Sequence, residues 1–224
     1  MTYPPGLLDT FLTRKTDEWF SRARAFLLDQ IPCRAGCHTC CIGPFPITLL
    51  DRQRLQDGMN CLPSARRERL EQRATEQIAA LENAYPELGL SPYVNHWEDS
   101  HIDRIISDFS QEPCPALGAE GLCEIYEYRP LVCRSMGIPI EENGITYGAC
   151  GVQTFVPIKR LSHAQRDEED ALASREAEAL ELLKSSAGCA GEEVLLPYGF
   201  ASGRLSATQS VNLGLPGPGP LDRG

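Results

Sequence analysis

Residues 33–41 read CRAGCHTCC and place Cys33, Cys37, Cys40 and Cys41 within nine residues. The continuation IGPFP adds Gly and Pro without hydrophobic periodicity. That composition predicts a loop shaped by what it binds rather than a helix or strand. Thiolates are soft ligands that suit zinc and iron–sulfur clusters, and ligands a few residues apart let a short loop fold around one ion. Cys37 and Cys40 form such a turn, Cys33 lies one step upstream, and the Cys41 side chain must point away from that of Cys40. The adjacent pair therefore serves different metals or different corners of one cluster.

Further along the chain stand Cys114, Cys123, Cys133 and Cys150, with eight, nine and sixteen residues between successive members. Eight thiolates suffice for two closed zinc sites of four sulfurs each, or for one cubane with ligands left for a second metal. Cys61 and Cys189 stand apart, in or beside predicted helices, and read as small buried hydrophobes. A redox dithiol at Cys37 and Cys40 competes, but such centres sit on a βαβ scaffold whose alternation is missing here. Cys33, Cys37 and Cys40 also match the spacing by which radical S-adenosylmethionine enzymes hold a cubane. Against that reading, the repeated β/α units are missing and Thr39 stands where those enzymes usually carry an aromatic.

The residues around the ligands bear on the same chemistry. Arg129 and Arg134 bracket Cys133 in EYRPLVCR, where a guanidinium offsets thiolate charge and donates hydrogen bonds, or pairs with Glu124 or Glu127 to fix the loop. Pro130 reads as a helix end. His38 inside the first loop is a ligand or a bystander, and His96, His101 and His163 read as surface or structural residues. Tyr126 and Tyr128 read as packing over the site.

Outside the loops the periodicity is helical. Phe11, Trp19, Phe20, Ala23, Phe26 and Leu27 predict a helix that leads into the cluster and stops by Pro32. Thr48 is placed to cap LLDRQRLQDGM, and Ser64 to cap ARRERLEQRATEQIAALENA, where Leu70, Ala74, Ile78 and Leu81 share one face. HWEDSHIDRIISDF predicts a shorter helix. EGLCEIYEYRPLVCRSMG predicts a turn, a short helix broken at Pro130 and a second ligand loop, and GITYGAC a short strand ending at Cys150. A last helix is expected over AQRDEEDALASREAEALELLKSSAG, with Leu172, Ala179, Leu180 and Leu183 inward and Gly188 as terminator. The fold expected is mainly α, a small helical domain with long irregular Cys-rich loops around a metal site. It occupies one domain over residues 1–205 with its core motif at 31–150, followed by a flexible Pro/Gly-rich tail at 206–224.

Composition narrows the function further. The hydrophobic fraction of 42% is ordinary for a globular protein, and no stretch approaches the roughly 18 apolar residues of a membrane span. MTYPPGLLDT lacks a basic segment followed by an apolar stretch, so a cytoplasmic location is expected. There, ten cysteines read as metal ligands or redox thiols rather than disulfides. A net charge of −10 opposes binding to nucleic acid or anionic membranes, neither of which is expected as a partner; a protein partner for the acidic helices goes with a structural zinc reading. No Ser/His/Asp set, Walker loop, dinucleotide-binding glycine fingerprint or His-Glu-x-x-His motif is present.

CRAGCHTCC, then PCPALGAEGLCEIYEYRPLVCRSMG, then Cys150, resembles the bacterial YkgJ-like cysteine-cluster family, described as a zinc- or iron-chelating domain. The resemblance spans about Ile31 to Cys150 and implies that Cys33, Cys37, Cys40, Cys41, Cys114, Cys123, Cys133 and Cys150 are the matching cysteines. The chain departs from shorter members by the 72 residues between Cys41 and Cys114, which include the long helix after Ser64. A related cysteine pattern occurs in flagellin lysine-methylases, which adds protein methylation to the expectations. The leading expectation is an iron–sulfur centre with a redox, electron-transfer or sensing role. Its alternative is structural zinc in a protein-interaction module, and a metal-dependent enzyme comes third.

Overall fold

Helices dominate the computed structural model, which describes residues 5–25, 36–142, 144–147, 158–187 and 189–202. The protein is mainly α, as its periodicity predicts. Two long helices, α1 (Pro5–Ala25) and α7 (His163–Ala187), pack together, and an Arg22–Glu168 ion pair at 2.6 Å pins them. The main core forms where α2 (Leu49–Cys61) and α3 (Ser64–Ala84) meet the short α8 (Leu196–Phe200), every residue of which is buried. Leu70, Ala74, Ile78 and Leu81 of α3 are at most 1% exposed, so the face predicted from their spacing is the face removed from water.

Short pairings tie the helices to the cysteine segments. β1 (Pro46–Thr48) pairs antiparallel with β5 (Glu193–Leu195), setting Ile47 opposite Val194, both buried. The chain leaving the first cysteine loop is thereby fastened to the segment that enters α8. The small α4 (Glu87–Leu90) and α5 (Asp99–Asp108) follow α3, and α6 (Leu131–Ser135) follows a single 3-10 turn at Tyr126–Tyr128. A second sheet, in the order β3 (Ile145–Tyr147), β2 (Ile140–Glu142), β4 (Lys159–Arg160), joins α1 through buried Trp19, Ala23, Ile138, Ile140 and Leu161. Among the described residues, no helix is long and apolar enough to cross a membrane.

Several local expectations change. Thr48 does cap α2, its Oγ1 accepting the Asp51 N–H at 3.2 Å. Ser64 does not cap α3; Pro63 holds that position, and its carbonyl accepts the Arg66 and Arg67 N–H groups at 2.9 and 3.1 Å. Proline has an extended ψ here and a free carbonyl, so it starts the helix without a side-chain acceptor. Pro130 stands between the 3-10 turn, which closes at Arg129, and a helix that begins at Leu131, which puts Cys133 on α6 and not in a loop. Phe11 is 39% exposed although it lies on the predicted apolar face, whereas Trp19 and Ala23 are buried. Phe26, Leu27, Pro32, Gly188 and the segment 206–224 lie outside the described residues.

Candidate metal centre

The two cysteine segments meet through their backbones. Gly43 N–H donates to Glu112 O at 2.7 Å and Cys114 N–H to Cys41 O at 2.8 Å, with an antiparallel bridge between Ile42 and Pro113. This short ladder sets Cys41 beside Cys114, although 72 residues separate them in the chain. Cys114 is brought to Cys123 by a second local pairing, in which Gly118 N–H donates to Leu122 O at 2.8 Å and Glu124 N–H to Ala116 O at 2.9 Å. Gly121 turns that loop with φ +73°, a conformation that disfavours any residue with a Cβ, and a Cβ there would lie 2.8 Å from His38 Nδ1.

Cys133 arrives on α6, whose first turn is capped from a distance. The buried Asp51 carboxylate of α2 accepts the Leu131 N–H at 2.8 Å and is also bonded by Arg54, itself buried. Pro130 has no side chain that could cap, so this carboxylate 80 residues upstream serves instead. Gly58 allows the 3-10 turn to press against α2, because a Cβ at that position would sit 2.7 Å from Tyr128 Cβ.

Six thiols result on one cavity of about 420 Å3: Cys37, Cys40, Cys41, Cys114, Cys123 and Cys133. Phe45, Leu196 and Phe200 supply apolar wall, while Leu122, Tyr126 and Arg129 also line it, Leu122 and Tyr126 being 47% and 54% exposed. Cys33 and Cys150 lie outside the described residues. Among the described residues, no three Cys, His, Asp or Glu side chains close around one point as a single ion would require.

Electrostatics divide the thiols. Cys40 is lowered to about 6, chiefly because the Cys41 thiol donates to it, with Arg129 and His38 adding positive charge. Cys41 is pushed up by giving that hydrogen bond, by burial and by neighbouring thiols. Burial pushes Cys114 up to about 12 and raises Cys123, and it carries Cys133 well above the ordinary thiol range, helped by the charges of Cys114 and Asp51. Cys41, Cys114, Cys123 and Cys133 are thus held toward the neutral thiol, and Cys40 toward the thiolate. A metal entering among them must displace protons.

The two arginines part company. Arg129 stacks on the Tyr126 ring at 3.5 Å, donates through Nε to Tyr126 O at 2.9 Å and lines the cavity. Arg134 is buried elsewhere, held by Asp17 at 2.7 Å, Arg129 O at 3.2 Å and Glu127 O, so it fastens the 3-10 turn to α1 and does not line the thiol cavity. Glu124 faces Arg69 and Arg73 at 3.9 Å each, neither of the arginines weighed for it. Tyr128 packs against Gly58 and meets Cys61 at 3.2 Å, away from the site, and Cys61 is exposed rather than buried. Cys189 is partly buried. His38 is exposed, 3.1 Å from Gly36 O, and does not line the cavity.

Soft donors in this number, on an enclosed wall with one cation at the rim, fit a thiophilic metal centre by their chemistry. The family model CxxCxxCC, described as "Putative zinc- or iron-chelating domain", matches residues 32–151. No curated protein and no solved structure matches the chain. The matched span covers just over half of the 224 residues and takes in all eight clustered cysteines. The chain belongs to this family of zinc- or iron-chelating domains.

Proposed function

We infer that the cavity thiols hold an iron–sulfur centre and that the chain serves as a redox, electron-transfer or sensing protein. The observation that carries this reading is the count: six thiols, including the adjacent Cys40 and Cys41, line one cavity, where a closed zinc site takes four. Cys37, Cys40, Cys41, Cys114, Cys123 and Cys133 are the proposed ligands within the described residues, with Cys33 and Cys150 proposed to complete the set. Such a centre, when bound, accepts and returns one electron. The chain's own part is to shape its surroundings. Arg129 offsets negative charge at the rim, and Phe45, Leu196 and Phe200 keep water from the inner wall. A cytoplasmic location and a protein partner belong to the same reading.

Anaerobic purification followed by iron, acid-labile sulfide and zinc analysis tests it. Iron and sulfide in matching amounts are expected. Stoichiometric zinc without sulfide would contradict the cluster.

A structural zinc reading draws on a different observation: Cys114 and Cys123 pack against the main hydrophobic core. Metal there would staple loops to helices, and its binding energy would be folding energy. Under that reading a chelator lowers the melting temperature and the helical signal together; unchanged values would exclude it.

A further inference from the structure

Two cavities flank α6. The one of about 400 Å3 between α1 and α7 is walled by aliphatic side chains and by carboxylates, Glu176 and Glu193 among them, whereas the thiol cavity has an arginine on its wall. That arginine, Arg129, is half-buried and held in one orientation. Its guanidinium carbon lies 3.5 Å from the centroid of the Tyr126 ring, and its Nε donates to Tyr126 O at 2.9 Å. Stacking occupies a face of the guanidinium and not its in-plane edge, where the terminal N–H groups point. Those terminal nitrogens make no hydrogen bond or ion pair among the described residues.

The carboxylates nearest in the chain are committed elsewhere. Glu124 faces Arg69 and Arg73, and Glu127 lines a charged cleft beneath α1. The positive charge acts instead on the thiol cavity, where Cys40 and Cys123 both feel it. The cavity opens to solvent beside this arginine, because Leu122 and Tyr126 line it and are both exposed. A fixed guanidinium with a free edge matches the two coplanar oxygens of a carboxylate, and partial burial strengthens such a pair beyond its worth in water. Exposed apolar side chains next to it suit a hydrocarbon body. Glu120, exposed on the loop that carries Leu122, and a chain charge of −10 disfavour a dianion.

We propose that the mouth of the thiol cavity binds a small organic monocarboxylate, its oxygens on the terminal nitrogens of Arg129 and its hydrocarbon body against Leu122 and Tyr126. The ligand thereby reaches the metal centre from the solvent side. That role rests on the reading of the thiols as an iron–sulfur site, whereas the binding rests on the Arg129 geometry.

Isothermal titration calorimetry of the full-length chain as purified tests it, with iron, sulfide and zinc measured on the same sample. The probes are hexanoate, hexanamide, which lacks the charge, and acetate, which lacks the hydrocarbon body. Saturable binding of hexanoate is expected, with hexanamide and acetate weaker by about tenfold or more. Arg129→Gln should weaken hexanoate by about tenfold or more, and Arg129→Lys, which keeps the charge without the planar fork, by about fivefold. Leu122→Ala should weaken hexanoate and leave acetate unchanged. Equal binding of hexanamide, or undiminished binding by Arg129→Gln, would overturn the carboxylate site, and equal binding of acetate would overturn the apolar mouth. No saturable binding of hexanoate would overturn the proposal outright. Zinc without sulfide in a chain that binds hexanoate contradicts the cluster alone; iron with sulfide in a chain that ignores hexanoate contradicts the carboxylate site alone. If Arg129→Gln fails to fold, the three probes on the parent chain still decide.

Discussion

Thiols line one side of α6 and carboxylates the other, and the two walls are built by opposite means. The thiol wall comes from loops stitched backbone to backbone, Gly43 to Glu112 and Cys114 to Cys41, with glycine at the turn where φ is positive. The carboxylate wall comes from side chains at helical spacing on α1 and α7. One five-residue helix presents Cys133 to the first cavity, Leu131, Val132 and Ser135 to the second, and Arg134 to a charged cleft beneath α1. What the contrast teaches is that a loop site depends on a few backbone anchors, whereas a helix-lined site depends on packing of whole elements. Changes that loosen α6 should therefore disturb both cavities, and changes at one wall should leave the other intact.

The largest effect is expected from Asp51→Ala. It removes the cap of α6 together with the carboxylate that the buried Arg54 pairs with, at a cost of about 3–5 kcal/mol. Urea unfolding measures the loss, and metal content should fall with it. A variant that loses stability but keeps its metal would break the idea that α6 anchors the thiol wall. Next comes Gly58→Ala. The added methyl meets Tyr128, an overpacking cost of about 1–3 kcal/mol set against a helix-propensity gain of about 1 kcal/mol. A net loss of up to about 2 kcal/mol is expected, with the metal centre disturbed because Tyr126 and Arg129 ride on the same turn, and with the carboxylate cavity unchanged.

Glu176→Gln acts on the other wall alone and depends on pH. Burial raises the folded carboxyl above its ordinary value of 4.5, with the Asp51 and Glu193 charges adding to the shift and Arg54 and the Thr48 hydrogen bond opposing it. A raised carboxyl contributes stability that is complete below pH 4.5 and is lost as pH rises through the folded value. The variant should therefore melt higher than the parent at pH 7, and the advantage should vanish below pH 4.5. An advantage that persists in acid would show that burial of the charge is not what the substitution relieves. Arg129→Ala has the smallest expected effect on stability, within about 0.5 kcal/mol. Removing a positive charge from the rim should still shift the reduction potential of the bound centre negative, which voltammetry reads.

These two walls also differ in how far the sequence discloses them. Residue type announces the thiols, since CRAGCHTCC has no other ready use, but nothing in the spacing shows that Cys41 and Cys114 share a ladder. Periodicity discloses α3, whose Leu70, Ala74, Ile78 and Leu81 are all buried, and the Thr48 cap. It misses α6, because five residues span little more than one turn and the cap comes from Asp51, far off in the chain. The strands β1 and β5 are three residues each, too short for alternation to register, and pair across most of the chain. Arg134 follows Cys133 directly in the chain yet serves a different part of the molecule, because Asp17 on α1 holds it, a contact that no local pattern encodes. The carboxylate cavity draws Glu176 and Glu193 from separate elements, so no motif marks it.

The central claim, that the cavity thiols form the metal centre, is tested most directly by metal-to-chain stoichiometry in native mass spectrometry of two variants. Cys133→Ser alters a thiol on the cavity wall; a Cys61→Ser, Cys189→Ser double variant alters the two that stand outside it. The account predicts that the double variant keeps the parent's full metal load and that Cys133→Ser loses part or all of it, with both chains remaining helical. Full metal retention in Cys133→Ser together with loss in the double variant would contradict it.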